Sequence, residues 1–121
     1  MSKRILIVDD DEMVRIAVNE LLRQEGYEVH SAAGGKEALE KLEDDIYDLI
    51  MLDIIMPEMD GIELCKKIRE LEKYKEIPII FLTAKSLDKD RAQGIEAGAN
   101  LFLSKPLSPD MLLKTILDTL N

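Results

Sequence analysis

Apolar runs of strand length alternate with amphipathic stretches from one end of the chain to the other. Arg4 to Val8 reads as a buried strand, and Glu12 to Glu25 follows with Val14, Val18, Leu21 and Leu22 on one helical face. Gly26 stands where that helix needs a left-handed cap. Tyr27 to Ser31 is a short strand rich in β-formers, and Gly35 to Leu42 is a helix built on Ala38, Leu39 and Leu42. Leu49 to Leu52 is a second strongly apolar strand; Ile62 to Leu71 then carries Leu64, Cys65, Ile68 and Leu71 at helix spacing. Ile77 to Leu82, with Pro78 near its start, is a third apolar strand. Asp88 to Ala97 is a weaker helix, interrupted by Gly94 and closed by Gly98. Gly94 costs that helix roughly 1 kcal/mol relative to Ala, which fits either a marginal helix or a position needed for close packing. Leu101 to Leu103 is a short strand, and Ser108-Pro109-Asp110 is a strong helix start. Leu113, Ile116, Leu117 and Leu120 supply the buried face of that last helix. Strands alternating with helices in this way predict right-handed crossovers and a doubly wound α/β fold, a mostly parallel sheet of five strands covered on both faces.

Composition narrows the function classes. The 121 residues make one ordinary domain, expected to span 1–121, and 46% of them are hydrophobic, which argues against disorder. With no Trp and few aromatics, the core must be built from Ile, Leu, Val, Met and Ala. A net charge of −9, with basic residues scattered, argues against nucleic acid as a direct partner. The single cysteine, Cys65, excludes an internal disulfide and fits a reducing compartment. No segment approaches the roughly 20 apolar residues of a membrane helix, and Ile5 to Val8 is only a strand's length. A cytoplasmic domain is expected.

The candidate chemistry lies where apolar runs end. Ile5-Leu6-Ile7-Val8 runs into Asp9-Asp10-Asp11, and Leu49-Ile50-Met51-Leu52 runs into Asp53. Ligands of such sheets bind beyond the carboxyl ends of the strands, near the point where strand order reverses. The fourth strand delivers Thr83 to the same edge, and the fifth delivers Lys105, followed by Pro106. Adjacent carboxylates repel one another unless a cation offsets them, and oxygen ligands suit Mg²⁺. A carboxylate can be the nucleophile in an aspartyl-phosphate, while a lysine and a hydroxyl stabilise the phosphoryl charge. No Walker-type glycine loop occurs. The set reads as a site that accepts one phosphoryl group; Asp11 reads as a helix cap.

These residues carry a resemblance. Ile7-Val8-Asp9-Asp10, Leu52-Asp53-Ile54-Ile55-Met56-Pro57 with Gly61, Leu82-Thr83-Ala84 and Leu103-Ser104-Lys105-Pro106 resemble, in order and spacing, the motifs of response-regulator receiver domains, the CheY-like phospho-acceptors of two-component signalling. The match runs from Lys3 to Leu120. It implies the strand order 2-1-3-4-5, with Asp53 phosphorylated by a histidine kinase or histidine phosphotransfer protein. It implies Mg²⁺, with Mn²⁺ as a substitute, on Asp9, Asp10, Asp53 and the backbone carbonyl of Ile55. Thr83 and Lys105 would contact phosphoryl oxygens, and Lys105-Pro106 would be cis. Thr83 and Phe102 would form the switch, shifting the fourth helix, fifth strand and fifth helix toward a downstream protein target or fused effector. A phosphorylation-dependent dimer is a further possibility of that face.

Several positions depart from the family's common pattern or stand outside it. Phe102 has no hydroxyl, and Leu101 replaces a residue that is often Asp, so it is either a covered edge residue or an apolar contact for a partner or second copy. Ile55 and Lys85 occupy positions that flank access to the phosphate. His30 is expected to be packed or solvated away from the acidic site, Cys65 to be core, Met51, Met56, Met59 and Met111 to be packing or loop residues, and Glu37 to Asp45 to be a solvated face. The main alternative is a small Mg²⁺-dependent phosphohydrolase using Asp9 with Asp11 as the acid. A flavin carrier lacks its phosphate loop here, and a non-phosphorylated docking domain would lose one of Asp53, Thr83 or Lys105. The chain is read as either a stand-alone regulator or one domain of a longer protein.

Overall fold

The computed structural model describes residues 2–84 and 88–120. The element order is β1 (Arg4–Val8), α1 (Glu12–Gln24), β2 (Glu28–Ala32), α2 (Gly35–Asp44), β3 (Leu49–Asp53), α3 (Gly61–Glu70), a single 3₁₀ turn (Glu72–Tyr74), β4 (Ile79–Thr83), α4 (Asp88–Ala97), β5 (Leu101–Ser104) and α5 (Pro109–Leu120). The strands form one sheet in the order β2-β1-β3-β4-β5. All four pairings are parallel, with Ile5 opposite both Val29 and Leu49, Asp53 opposite Leu82, and Thr83 opposite Ser104.

Period-two alternation along buried strands divides the core into two layers. Leu6, Val8, Ile50, Leu52, Ile79 and Phe81 face α2, α3 and α4 with Leu42, Leu64, Cys65, Ile68 and Ala97. Ile5, Ile7, Leu49, Met51, Ile80 and Leu82 face α1 and α5 with Val18, Leu22, Leu112 and Ile116. Right-handed crossovers produce this division, and the chain reverses its direction of travel across the sheet between β1 and β3. The carboxyl ends of those two strands therefore open a crevice between diverging loops.

Local chemistry sets the element ends. Gly26 (φ +92°) closes α1 in a Schellman motif, its N–H donating to Arg23 O (3.0 Å) and that of Tyr27 to Leu22 O (3.2 Å). Tyr27 is thereby used in the cap, and β2 begins one residue later than its β-forming composition predicts. Gly98 (φ +112°) closes α4 the same way, with Gly98 N bonded to Ile95 O and Ala99 N to Gly94 O, each at 3.0 Å. Asp11 accepts from Met13 N (2.9 Å) at the start of α1, as a cap should, and Ser108 does so from Met111 N (3.3 Å) for α5. β4 starts at Ile79 and not Ile77, because Pro78 offers no N–H and the Ile79 N–H is taken by Asn100 Oδ1 (2.9 Å).

Two features were invisible to periodicity. The 3₁₀ turn buries Tyr74, whose hydroxyl donates to Asp45 O (2.8 Å). Tyr47 is equally buried and its hydroxyl lies 2.7 Å from His30 Nδ1, while His30 Nε2 is 3.0 Å from Glu28. His30 is thus packed and paired in the middle of an outer strand. Arg69 is the second feature. Its guanidinium donates to the carbonyls of Tyr74 (2.7 Å), Ile77 (2.6 Å) and Gly98 (2.6 Å) and to Asn100 Oδ1 (2.9 Å). One planar fork thereby ties the end of α3 to the loops on either side of β4. A lysine offers one ammonium with no such fork, so Arg69→Lys should lower the stability of the fold by about 2 kcal/mol, as several backbone acceptors lose their donor. Urea unfolding of the two proteins side by side checks this.

Candidate functional site

β1 ends at Val8, so Asp9 and Asp10 are the first residues beyond the sheet edge. Asp53 is the last residue of β3 and Thr83 the last of β4, while Lys105 follows β5 directly. Parallel register brings all five together. Carboxylate oxygens of Asp9, Asp10 and Asp53 lie within 4.8 Å of one another. Asp9 and Asp53 are buried and Asp10 is exposed, so the cluster is open on one side only.

Lys105 bridges the carboxylates. Its Nζ is 2.8 Å from Asp9 Oδ2 and 3.4 Å from Asp53 Oδ2. The Lys105-Pro106 bond is cis, as expected. Asp9 has no solvent exposure and makes two further contacts that hold it still. Its Oδ1 accepts from the Asp11 N–H (2.9 Å), and its backbone N–H donates to Ala32 O (3.1 Å). Arg15, one turn into α1, donates to the Asp9 carbonyl at 2.8 Å. Sequence reasoning did not single out Arg15, although a cation four residues after the capping aspartate was the available signal. Because the Asp11 side chain is engaged as the cap of α1, it is not placed as an acid beside Asp9.

Electrostatics follow from burial. Asp53 is pushed up from 3.8 to about 6, first by burial and then by the Asp9 charge, with Lys105 pulling in the opposite direction and Asp10 adding to the rise. Burial pulls Lys105 down, but its hydrogen bond to Asp9 and the charges of Asp53 and Asp9 outweigh that, leaving its pKa raised. The lysine remains a full cation among three carboxylates. An acid cluster with more negative than positive charge, all of it in oxygen ligands, suits a hard divalent cation.

The loop from β3 to α3 is shaped to carry Asp53. Gly61 N donates to Ile54 O (2.8 Å), and a Cβ on Gly61 would collide with the Asp53 carbonyl and sit 2.9 Å from Ile54 Cα. Only glycine lets α3 start this close to the acceptor strand. Met59 N donates to Pro57 O (2.7 Å) around Glu58, whose φ of +68° is rare for a residue with a side chain. Asp60 then caps α3 through Glu63 N (2.8 Å). Ile55 lies in this loop two residues beyond Asp53 and is 75% exposed. Lys85, the other expected flanking residue, falls outside the described residues. Thr83 is buried, and its carbonyl accepts from Lys105 N (2.8 Å), which ties the ends of β4 and β5 together.

Phe102 is half-buried on β5, its ring centroid 5.7 Å from that of Phe81. Leu101 beside it is 40% exposed, so the covered-edge reading of that residue does not hold. Cys65 is in the core, its thiol donating to Ala97 O (3.3 Å) and pushed up to about 11 by burial. Met51 and Met56 are buried and Met59 packs against the core, whereas Met111 is exposed. No helix among the described residues is long and apolar enough to cross a membrane.

Comparison with known proteins agrees with this geometry. The model of the response regulator receiver domain matches residues 5–117. The transcriptional regulatory protein SrrA of Staphylococcus aureus is 44% identical over 109 residues, covering 90% of this chain and 44% of SrrA. The chain thus spans less than half the length of the curated relatives it matches. Chemotaxis protein CheY4 of Vibrio cholerae is 38% identical, with a TM-score of 0.96 over 98% of this chain and 99% of that one. The receiver domain of the sensor histidine kinase PA1611 of Pseudomonas aeruginosa, whose structure has a magnesium ion coordinated in the active-site cleft, is 32% identical with a TM-score of 0.90, covering 99% and 98% of the two chains. Fold, acidic crevice and sequence together place this chain in the response regulator receiver domain family of two-component signalling.

Proposed function

We propose that Asp53 is the phospho-acceptor of this receiver and that Lys105 and Thr83 stabilise the group it accepts. The observation that carries this reading is the Lys105 Nζ bridge to Asp9 (2.8 Å) and Asp53 (3.4 Å). It fixes an ammonium beside the one carboxylate that is both a strand terminus and open to the crevice. In the reaction, an Asp53 carboxylate oxygen attacks the phosphorus of a partner's phosphohistidine. The P–N bond breaks, its electron pair returns to the imidazole, and an acyl phosphate forms. Lys105 then exchanges part of its contact with Asp53 for a phosphoryl oxygen, remaining held by Asp9, and the Thr83 hydroxyl donates to another oxygen.

Asp9, Asp10 and Asp53 fit Mg²⁺ by their chemistry, and we assign the ion to Asp10, Asp53 and the Ile55 backbone carbonyl, with Asp9 nearby and Mn²⁺ as a substitute. When bound, the metal supplies the positive charge that three carboxylates and an incoming phosphoryl group require. The protein promotes its own phosphorylation and dephosphorylation, with no other substrate. The donor is a histidine kinase or histidine phosphotransfer protein in the cytoplasm, a location consistent with the free thiol of Cys65. Its docking is supported by an apolar groove of about 740 Å³ beside Lys105, lined by Met13, Val14, Ala17, Leu107, Pro109 and Leu112. Output passes through α4, β5 and α5 to a downstream protein or a fused effector, with phosphorylation-dependent pairing of copies through that face as one route.

Intact mass after addition of acetyl phosphate tests the acceptor. A gain of one phosphoryl group is expected with Mg²⁺, and none with EDTA or in Asp53→Asn. Uptake by Asp53→Asn at the wild-type level would remove Asp53 from the role.

Asp53 also makes stability depend on pH in the metal-free protein. Its carboxyl titrates at 3.8 when unfolded and at about 6 when folded. Between those values the folded chain keeps a proton that the unfolded chain has lost, so stability falls as pH rises through this window and stays reduced above it. Asp53→Asn removes the penalty. In EDTA at about pH 7.5 it should be more stable than wild type by about 1–3 kcal/mol, with the gap closing below about pH 4. Urea unfolding at the two pH values reads the difference.

A further inference from the structure

We infer that Gly94 is a positioning residue for the Phe102 switch: its missing side chain is the socket that holds the ring against α4, and this contact couples the ring to the helix. The inference rests on the assignment of Asp53 as acceptor and Phe102 as the switching aromatic.

A Cβ on Gly94 would stand 2.7 Å from Phe102 Cζ, 2.9 Å from its Cε1 and 3.1 Å from Phe81 Cδ2. These are ring atoms of two packed aromatics, the Phe81 ring being wholly buried, so neither gives way as a flexible chain end would. On the same helix the Arg91 guanidinium lies over the Phe102 ring, 5.1 Å from its centroid. Phe102 is therefore held between a cation on α4, the bare backbone of α4 and the Phe81 ring on β4. Both readings of Gly94 that its sequence context allowed now meet in one residue: the position is closely packed, and what it packs against is the aromatic assigned to the switch.

Among the described side chains of α4, few others turn toward the sheet. Of residues 91–97, only Gly94 and Ala97 are buried, and Ile95 is 63% exposed. Its C-terminal end, in contrast, is anchored: Cys65 Sγ donates to Ala97 O (3.3 Å), and Arg69 donates to Gly98 O (2.6 Å). A helix fixed at one end, resting on a ring one turn earlier, responds to departure of that ring by pivoting about Ala97–Gly98. When Thr83 moves toward the phosphoryl group, Phe102 follows it away from Gly94, and α4 loses the contact that set its distance from the sheet. A side chain at 94 disfavours the α4-side position of the ring and so biases the switch toward its phosphorylated arrangement.

The test compares wild type, Gly94→Ala, Phe102→Leu and the double variant. Ligand is beryllofluoride with Mg²⁺, a mimic of the phosphoryl group, and the probe is ring-¹³C phenylalanine, which adds no atoms and reports on only two residues, Phe81 and Phe102. In Gly94→Ala the Phe102 signal should sit part-way to its ligand-bound position before any beryllofluoride is added. Half-saturation should need about fivefold less beryllofluoride than in wild type. In the Phe102→Leu background the Gly94→Ala effect on half-saturation should vanish. The urea midpoint should fall on Gly94→Ala when Phe102 is present. It should fall less in the Phe102→Leu background, where the contact with the Phe102 ring is gone and only that with Phe81 opposes the helix preference of alanine. Should Gly94→Ala alone not fold, recovery of folding in the double variant supports the socket and continued misfolding overturns it. Unchanged or weaker beryllofluoride binding by Gly94→Ala, or an equal effect of the substitution in both backgrounds, also overturns it. A wild-type protein that takes up no beryllofluoride refutes the acceptor assignment itself, and the inference with it.

Discussion

Three carboxylates cannot be gathered at one sheet edge without a cation, and among the described residues the ammonium of Lys105 pairs directly with two of them. Asp9 is fully buried, and an ionised carboxylate in that position is tenable only with a partner charge and hydrogen bonds to its oxygens. Lys105 and the Asp11 N–H meet that need at 2.8 and 2.9 Å. The contact closes residues 96 positions apart, so the acid-bearing end of β1 is satisfied only when β5 has docked at the far side of β4. Completion of the sheet and neutralisation of the crevice are the same event. Even so, the balance remains negative, and burial together with the Asp9 charge displaces the Asp53 carboxyl toward neutrality. A fold stabilised with that much repulsion left over is disposed to bind cations and to exchange one anionic arrangement for another.

Rigidity is distributed accordingly. Around Asp53 the backbone has no freedom: Gly61 is pressed against the strand end, and Asp60 starts α3 immediately before it. Around α4 the constraint is confined to one end. Arg69 and Cys65 fix the helix terminus, while the body of the helix rests on Phe102. A strand end held this closely thus stands beside a helix whose described contacts are concentrated at one end.

The fold and the acidic site were largely legible in the sequence because both are written in strand ends. Uninterrupted apolar runs such as Ile5-Leu6-Ile7-Val8 admit few alternatives to a buried parallel strand, and the residue after such a run has its location fixed by topology. Asp9, Asp10, Asp53, Thr83 and Lys105 were found this way, and the structure brings them to one edge. What escaped was chemistry independent of period. Arg69 looks like any solvated helix cation, and only the convergence of three loop carbonyls gives it a role. Tyr47 and Tyr74 lie in short connections where no pattern marks a residue as buried. Arg15 was missed because its contact is to a backbone carbonyl, with only its spacing from Asp11 to point to it. Gly94 was ambiguous for a related reason: a helix position reveals its propensity in sequence but its neighbours only in three dimensions.

The same geometry suits the proposed protein donor. The carboxylate cluster is open on the side of Asp10, and the adjacent surface carries Ile55 at 75% exposure and Met13 at 74%. Exposed apolar side chains around a charged crevice favour a partner that covers them, since burial of that surface contributes on the order of 25 cal/mol per Å² and offsets the cost of desolvating the charges within. A free phosphodonor brings no such surface and gains only the electrostatic contacts. On the proposed reading the receiver holds the groups that act on the phosphoryl group, and the exposed Ile55 and Met13 belong to the surface that a donor would cover.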